Sequence, residues 1–236
     1  MKKLSIAFTV LAIGFLFSSC KKVVGEGPIV TENRPVGEFS SIALSISGEL
    51  YYTQSATNKL EISAQQNILN VIDAHIVNHE LVIKIRDGVK IKNHESIVVN
   101  VSCPTIDGLR ISGSGNIHAD STRTDNMHLT LSGSGNINLG KLLANSLDAN
   151  ISGSGNIVVS GGAVDKKHLN ISGSGGIDTR NVYGNNVTTV TSGSGEMHVN
   201  AIKTLDVTIS GSGSVYYRGN PLISTSISGS GKVKPL

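Results

Sequence analysis

The chain has 236 residues, a formal net charge of +3 and only 4% aromatic residues. A protein so close to neutral and so poor in aromatic rings lacks the surface that nucleic-acid binding requires, so we expect no nucleic-acid partner. Glycine is abundant, but 39% of the residues are hydrophobic and they recur periodically, which indicates a folded β protein rather than a disordered one.

The N-terminus predicts an export signal. Lys2 and Lys3 precede an apolar run over residues 4–17, which is short for a membrane span, and small residues follow. This pattern is typical of a signal peptide over residues 1–19. The stretch "FSSC" resembles the lipobox of bacterial lipoproteins, which implies cleavage before Cys20 and lipidation of its thiol. An ordinary export signal with an incidental cysteine is the alternative.

Two segments separate this leader from the repeated part of the chain. Residues 20–38 contain prolines and predict a lipidated tether. Residues 39–103 read as short strands, and we expect them to form N-terminal coils and a cap, because a solenoid must protect its ends. Within the cap, residues 65–72 favour one short helical turn. Asn78 and His79 favour a hairpin turn between two apolar runs.

A seven-residue motif of the type "ISGSGNI" begins at positions 111, 131, 151, 171, 191, 209 and 227. The interval is 20 residues and then 18, and a fixed period of this length indicates a solenoid. Apolar residues fall on alternate positions, as in strands with one buried face. Residues 104–236 therefore predict an all-β, single-stranded, right-handed parallel β-helix with about 18–20 residues per turn, continuous with residues 39–103. The right hand is the usual one for parallel connections. No helix is expected after Cys103.

Each turn is predicted to contain two apolar strands joined by a Gly-Ser-Gly bend. Glycine suits this bend because the core there is too narrow for a Cβ atom and because glycine tolerates positive φ. The predicted structural glycines are Gly113, Gly115, Gly133, Gly135, Gly153, Gly155, Gly173, Gly175, Gly193, Gly195, Gly211, Gly213, Gly229 and Gly231. Asn116, Asn136 and Asn156 occupy equal positions in successive turns, so we expect their amides to form a ladder.

The motifs resemble those of the head GIN domain family. The features that carry the resemblance are the repeated "SGSGNI", a degenerate copy "SISGEL" at residues 45–50, and a strand that ends at Pro104 just before "LRISGSGNI". The family is labelled a putative auto-transporter adhesin and is common in Bacteroidetes envelope proteins. The resemblance covers residues 39–236. It implies a secreted or lipid-anchored β-solenoid with no established catalytic residues.

One cluster of titratable groups can be built from the predicted stacking. Asp178, His198 and Tyr216 would lie in consecutive turns, and Glu196 would share the face of His198. A carboxylate beside a histidine could orient it as a general base. The competing interpretation is a polar outer face on which neighbouring charges happen to complement each other. We find no convincing third metal ligand, so we expect neither a metal nor a cofactor.

Aromatic and thiol groups have simpler interpretations. In the pairs Tyr51 with Tyr52 and Tyr216 with Tyr217, alternation exposes one ring of each pair, where it could contact a glycan. Alternatively, Tyr52 and Tyr217 fill the core and their neighbours have no role. Cys103 has no disulfide partner if Cys20 is lipidated, and we expect it to be a buried, inert thiol.

Three functions remain open from the sequence. The first is a non-enzymatic lipoprotein, held in the bacterial cell envelope and most simply in the outer membrane, which binds a glycan or a protein. The second is a polysaccharide-active enzyme that uses Asp178 and Glu196, with Arg180 as the nearest basic residue. The third is a ligand-free scaffold that assembles end to end. Lysine and proline in the tail "KVKPL" oppose such assembly, because they block a strand edge.

Overall fold

The structure is a computed structural model that describes residues 21–236. The predicted signal peptide and the predicted lipidation site Cys20 lie outside the described residues. The protein is nearly all β, with 70% strand and 2% helix, and it forms a parallel β-solenoid of about six turns. The predicted fold class is therefore confirmed. None of the helices in residues 21–236 has the length and hydrophobicity needed to cross a bilayer.

The N-terminal part of the chain forms short strands and one helical turn. These are β1 (Lys21–Val24), β2 (Ile29–Arg34), β3 (Ser41–Ser45), β4 (Glu49–Gln54), β5 (Lys59–Gln65), α1 (Gln66–Leu69), β6 (Ile72–Val77), β7 (Glu80–Ile85), β8 (Val89–Lys92) and β9 (Val98–Cys103). The helix falls where a helical turn was predicted. Asn78 and His79 join β6 to β7 with φ values of 49° and 62°, which confirms the predicted hairpin turn.

Antiparallel strands cover the N-terminal end of the solenoid. β2 pairs with β5 and β5 with β9, both antiparallel, and β9 then pairs parallel with β4. In the same way β6 pairs antiparallel with β7, and β7 pairs parallel with β3. The expected tether over residues 20–38 contains two of these strands: β2 belongs to the cap, and β1 pairs parallel with β8. Of residues 21–38, only residues 25–28 and 35–38 lie outside strands.

The repeated part of the chain consists of strands without a helix among residues 104–236. They are β10 (Gly108–Gly113), β11 (Asn116–Ala119), β12 (Thr122–Arg123), β13 (Asn126–Gly133), β14 (Asn136–Gly153), β15 (Asn156–Gly173), β16 (Gly176–Thr179), β17 (Val182–Gly193), β18 (Glu196–Asn200), β19 (Thr204–Gly211), β20 (Ser214–Arg218), β21 (Leu222–Gly229) and β22 (Lys232–Pro235). β14 and β15 each follow the coil through most of a turn.

Two parallel sheets meet at the Ser-Gly-Ser-Gly corner of each turn. The sheet that leads into the corner, here the entry sheet, contains β7, β3, β10, β13, the second halves of β14 and β15, β17, β19 and β21. The sheet that leaves the corner, here the exit sheet, contains β9, β4, β11, the first parts of β14 and β15, β16, β18, β20 and β22. Equal motif positions pair directly, as the repeat predicts.

A third, shorter side closes the 20-residue turns. Residues 141–144 pair with residues 161–164, which pair in turn with residues 182–184. The prediction of two strands per turn was therefore incomplete, because these turns contain a third strand segment. The two 18-residue turns have short segments without strand structure in its place, at residues 201–203 and 219–221. The loss of two residues per turn accounts for the change in period.

The two glycines of each corner serve different purposes, which Gly153 and Gly155 illustrate. Gly153 has a φ of +146°, and a Cβ atom there would lie against the carbonyl of Gly133 in the preceding turn. Gly155 is buried, and its Cβ would lie against the carbonyl of Gly135 in the preceding turn and 2.6 Å from Leu131 Cδ2. The first glycine is therefore required by its backbone conformation and the close approach of the preceding turn, and the second by that close approach and by the narrow core.

Within residues 21–236, the core is a continuous stack of aliphatic side chains that is covered at its N-terminal end and exposed at its C-terminal end. Ile111, Leu131 and Ile151 stack in successive turns and are no more than 1% exposed. In the last turn every residue of β21 is exposed, and the inward-facing Ile227 reaches 43%. The last described strands have no partner on their outer side within residues 21–236.

Candidate functional site

The outer surface of the exit sheet carries two columns of side chains that run along the solenoid. The first column contains Glu49, Asn116, Asn136, Asn156, Gly176, Glu196, Ser214 and Lys232. The second contains Tyr51, His118, Asn138, Val158, Asp178, His198, Tyr216 and Lys234. The sheet register fixes both columns, because it pairs equal positions of adjacent turns.

The predicted asparagine ladder forms in the first column. Asn156 Nδ2 donates to Asn136 Oδ1 at 3.1 Å, and Asn136 Nδ2 donates to Asn116 Oδ1 at 2.9 Å. Asn116 Nδ2 then donates to Glu49 Oε1 at 2.7 Å. The ladder thus begins at a carboxylate, and every bond has the same direction. Such chains polarise one another, which makes the terminal amide oxygen of Asn156 a stronger acceptor.

The four residues of the predicted cluster are neighbours, but they interact as separate groups. His198 Nε2 lies 3.1 Å from Glu196 Oε1, and the His198 ring stacks on Tyr216 with 5.0 Å between ring centroids. Asp178, in the preceding turn, bonds elsewhere: Arg180 Nε donates to both of its carboxylate oxygens at 2.9 Å. Glu196, rather than Asp178, is therefore the partner of the histidine.

The Asp178 carboxylate is held in its ionised form. Partial burial opposes ionisation, but hydrogen bonds from the side chain and backbone N–H of Arg180, and the nearby positive charge, outweigh it and lower the pKa of Asp178. A carboxylate that is already bound in two places by a guanidinium is a poor proton acceptor. This pairing favours the interpretation that Asp178 stabilises the surface over the interpretation that it orients a general base.

A second cluster of the same composition lies at the other end of the face. Glu49 Oε2 accepts a hydrogen bond from His118 Nε2 at 2.7 Å, and His118 stacks on Tyr51 with a centroid distance of 5.0 Å. Burial of Glu49 is outweighed by its bonds to Asn116 and His118, and its pKa is lowered. The sequence signal for this cluster was the degenerate copy, because aligning "SISGEL" with the motif places Glu49 in the asparagine column.

A notch interrupts the face between the two clusters. Gly176 stands where the preceding turns have asparagine, and it leaves the first column without a side chain for one turn. The resulting cavity has a volume of about 350 Å³. Asn156 and Glu196 border it along the first column, and Val158 and His198 border it along the second. We call this cavity the Gly176 notch.

A larger open depression lies beside the entry sheet. Asp148 lies between His128 and His168 in one column, and its Oδ2 is 3.5 Å from His128 Nδ1. An open groove of about 1040 Å³ lies beside His128, with Asp107 and Asp125 among the residues that line it. The paired strands thus bring an aspartate between two histidines that lie 40 residues apart in the sequence.

Lys167 is the functional candidate that the sequence interpretation missed. It points into the core, is fully buried, and its Nζ donates to the backbone oxygens of Val182 at 2.8 Å and Asn200 at 2.9 Å. Burial lowers its pKa to about 7. Alternation would have revealed it, because Lys167 occupies the position of Leu147 in the preceding turn. The absence of a side chain at Gly184 provides the space for its ammonium group.

The remaining candidates have structural roles. Cys103 is a free, buried thiol, and burial raises its pKa. Tyr52 is 1% exposed, whereas Tyr51 is 45% exposed. Tyr217 packs on the core and Tyr216 faces outward, so both tyrosine pairs divide as alternation predicts. Among the described residues, no group of three or more His, Cys, Asp or Glu side chains could hold a metal ion.

The fold and the outer columns define a β-solenoid protein with an ordered polar face. The chain belongs to the family described as "Putative auto-transporter adhesin, head GIN domain", which matches residues 38–221. The resemblance drawn from the motifs is thereby confirmed. No curated protein matches the chain.

Solved structures of similar proteins share the fold. A putative adhesin from Bacteroides fragilis NCTC 9343 is 28% identical, with a TM-score of 0.86, over 91% of this chain and 100% of that one. A putative adhesin from Parabacteroides merdae ATCC 43184 is 22% identical, with a TM-score of 0.73, over 92% and 99%. A protein from Parabacteroides distasonis ATCC 8503, described as a putative lipid binding protein, is 23% identical, with a TM-score of 0.79, over 92% and 100%. The last two support the fold alone.

Proposed function

We propose that this protein is a non-enzymatic adhesin of the bacterial cell envelope, lipid-anchored through Cys20 in the outer membrane, which presents its exit sheet to a ligand. The family and the similar putative adhesin from Bacteroides fragilis support a binding role at the cell surface. The leader and the lipobox-like "FSSC" support export and anchoring.

The observation that carries the proposal is the fixed geometry of the exit face. Its side chains are held by the ladder from Glu49 to Asn156 and by two stacked His–Tyr pairs. A surface whose rotamers are already fixed loses less conformational entropy when a ligand binds. A scaffold without a ligand does not require ordered side chains on its exposed face, so this order favours a binding function.

The bonding of the predicted catalytic cluster favours binding over catalysis. The sequence left open a carboxylate that orients His198 as a general base. The carboxylate predicted beside it in the stack, Asp178, is instead paired with Arg180, and the His198 ring is stacked on Tyr216. These contacts describe a preorganised polar surface.

Protease shaving of intact cells tests the anchoring and exposure. We expect protease to remove the protein from intact cells, and we expect Cys20→Ala to release it from the membrane fraction. Adhesion of the cells to a glycan- or protein-coated surface should fall when the gene is deleted. Protection from protease until the outer membrane is broken, or unchanged adhesion in the deletion strain, would contradict the adhesin proposal.

A further inference from the structure

We propose that the Gly176 notch is the binding site for a single sugar ring of a neutral glycan. This inference rests on the proposed adhesin function and specifies its ligand class. It depends on three features of the notch: an unused acceptor, balanced charges and a mixed polar and apolar wall.

The ladder ends at the notch with an amide oxygen, Asn156 Oδ1, that accepts no hydrogen bond from residues 21–236. Asn156 donates its amide N–H to Asn136, but no group among residues 21–236 donates to Asn156 Oδ1. In the next turn that donor would come from an asparagine, and Gly176 stands there instead. A Cβ atom on Gly176 would lie 2.9 Å from Asn156 Oδ1, so the amide oxygen faces the vacant position. A ligand hydroxyl can supply the missing donor.

The charges around the notch favour a neutral ligand. The Asp178 carboxylate is paired with Arg180 at 2.8 Å, and Glu196 lies 3.1 Å from His198. A cationic ligand would compete with Arg180 for Asp178, and an anionic ligand would meet the carboxylates of Asp178 and Glu196. Glu196 remains 53% exposed and has a second oxygen free to accept hydrogen bonds. Two acceptors on opposite sides of a small cavity suit a ligand with several hydroxyl groups.

The walls of the notch suit a ring of this kind. Val158 gives one side an apolar surface that the C–H face of a sugar can cover, and the hydroxyl groups of Ser174 and Ser194 border the corner side. A volume of about 350 Å³ is at the small end of ligand pockets, which span roughly 300–1,000 Å³. The notch therefore accepts one ring, with room for the chain to continue along the open face.

Gly176→Asn is the sharpest test, because it should close the site without disturbing the fold. Gly176 does not have a positive φ, and the nearest atom to an added Cβ is the flexible end of Asn156. The new asparagine would extend the ladder by one step and fill the notch. Ser226→Asn is the control, since it adds the same side chain to an exposed position of β21 in the entry sheet, away from the residues that line the notch.

The experiment is saturation-transfer NMR on the full chain purified from membranes in detergent. The probes are glucose, galactose, mannose, rhamnose, fucose, N-acetylglucosamine and N-acetylgalactosamine, each up to 10 mM. A single ring in a shallow site should bind with a Kd on the order of 1 mM. We expect Gly176→Asn to weaken binding of at least one sugar tenfold or more, and Ser226→Asn to leave it within a factor of two. Glu196→Gln should also weaken it severalfold.

The possible outcomes separate this inference from the adhesin proposal. If none of the seven sugars binds, or if Gly176→Asn binds as well as the wild type while remaining folded by circular dichroism, the notch is not the site. If Gly176→Asn misfolds, Glu196→Gln becomes the test, and unchanged sugar binding by that variant would show that the notch is not the site. Cells that carry Gly176→Asn and still adhere, when deletion cells do not, would overturn the notch and leave the adhesin. Adhesion that is independent of the protein would overturn the adhesin, while the binding data would still decide the notch.

Discussion

The two ends of the solenoid are finished in different ways. At the N-terminal end, β2, β5 and β6 pair antiparallel and cover the first parallel turns. At the C-terminal end, β21 and β22 simply complete one more turn, and the apolar side chains of Leu222, Ile223 and Ile227 remain exposed. The corner geometry nevertheless hardly changes, since Gly229 has a φ of 124° and Gly153 one of 146°.

This difference indicates how the free energy of unfolding is distributed along the repeat. In a solenoid each turn contacts only its neighbours, so an interior turn is held on two sides and the last turn on one. An identical substitution should therefore cost more in the middle than at the C-terminal end. The following predictions compare matched positions on this principle.

The largest effect is expected at the second glycine of an interior corner. An alanine at Gly155 would place its Cβ against the carbonyl of Gly135 and 2.6 Å from Leu131 Cδ2, so we expect Gly155→Ala to lower the free energy of unfolding by about 3 kcal/mol. Gly231→Ala makes comparable contacts in the last turn, which can move away, and should cost about 1 kcal/mol. Urea denaturation measures both. Gly161→Ala, with no atom within 4 Å of its Cβ, is the control and should be nearly neutral.

An aliphatic pair in one core column gives the next largest difference. Ile209 is 1% exposed and Ile227, its partner in the last turn, is 43% exposed. We expect Ile209→Ala to cost about 3 kcal/mol, because it leaves a cavity, and Ile227→Ala to cost less than about 1 kcal/mol. Equal shifts of the urea midpoint for the two variants would mean that the C-terminal turn is covered in solution.

Lys167 should make the free energy of unfolding depend on pH. The folded pKa of about 7 lies below the usual 10.5, so between these values the unfolded chain binds a proton that the folded chain does not. Stability from this group therefore rises with pH across that interval. Relative to Lys167→Met, the wild type should gain about 2 kcal/mol between pH 7 and 9, measured by urea denaturation at each pH. Parallel profiles for the two proteins would contradict the lowered pKa.

The smallest effect is expected on the outer face. Asn136 both donates and accepts in the ladder, and Asn136→Ala should cost about 1 kcal/mol because it breaks two hydrogen bonds on a half-exposed surface. Ser214 lies in the same column nearer the open end and makes no side-chain hydrogen bond within the described residues. Ser214→Ala should therefore stay within about 0.5 kcal/mol. Equal thermal stability of the two variants would indicate that the ladder orients the side chains of the exit sheet without stabilising the fold.

Much of the fold could be predicted because the repeat makes local patterns unambiguous. Alternation identified the buried side of each strand, and the motif spacing fixed which residues would be neighbours across turns, as Asn116 and Asn136 show. The third side was missed because "SGGAVDKKH" contains glycine and charge, which are typical of a loop. Its strand character comes from pairing with the turns on either side, and no property of a single turn encodes it.

The candidate site was harder to predict because it depends on exceptions to the repeat. Stacking placed Asp178 beside His198, but the nearer partners, Arg180 and Glu196, follow from side-chain rotamers that a register cannot give. The Gly176 notch is visible in the sequence as "SGSGGI" in place of "SGSGNI". The glycine alone does not predict a cavity. It leaves one because the side chains of the first column are aligned by the asparagine ladder, so that a single missing side chain opens a gap between ordered neighbours.

The strand β1 has a mechanical consequence if Cys20 carries a lipid. Adjacent Cα atoms are 3.8 Å apart, and Lys21 already pairs with Val89 of β8, so the anchor and the folded body are separated by a single peptide bond. The folded body could therefore move only a few ångströms away from the lipid anchor. Lys22 and Lys90, which face each other across β1 and β8, would rest near the lipid phosphates. If the solenoid axis stood perpendicular to the bilayer, the seven motif turns would span roughly 30 Å, and the number of a turn in the repeat would set its height above the membrane.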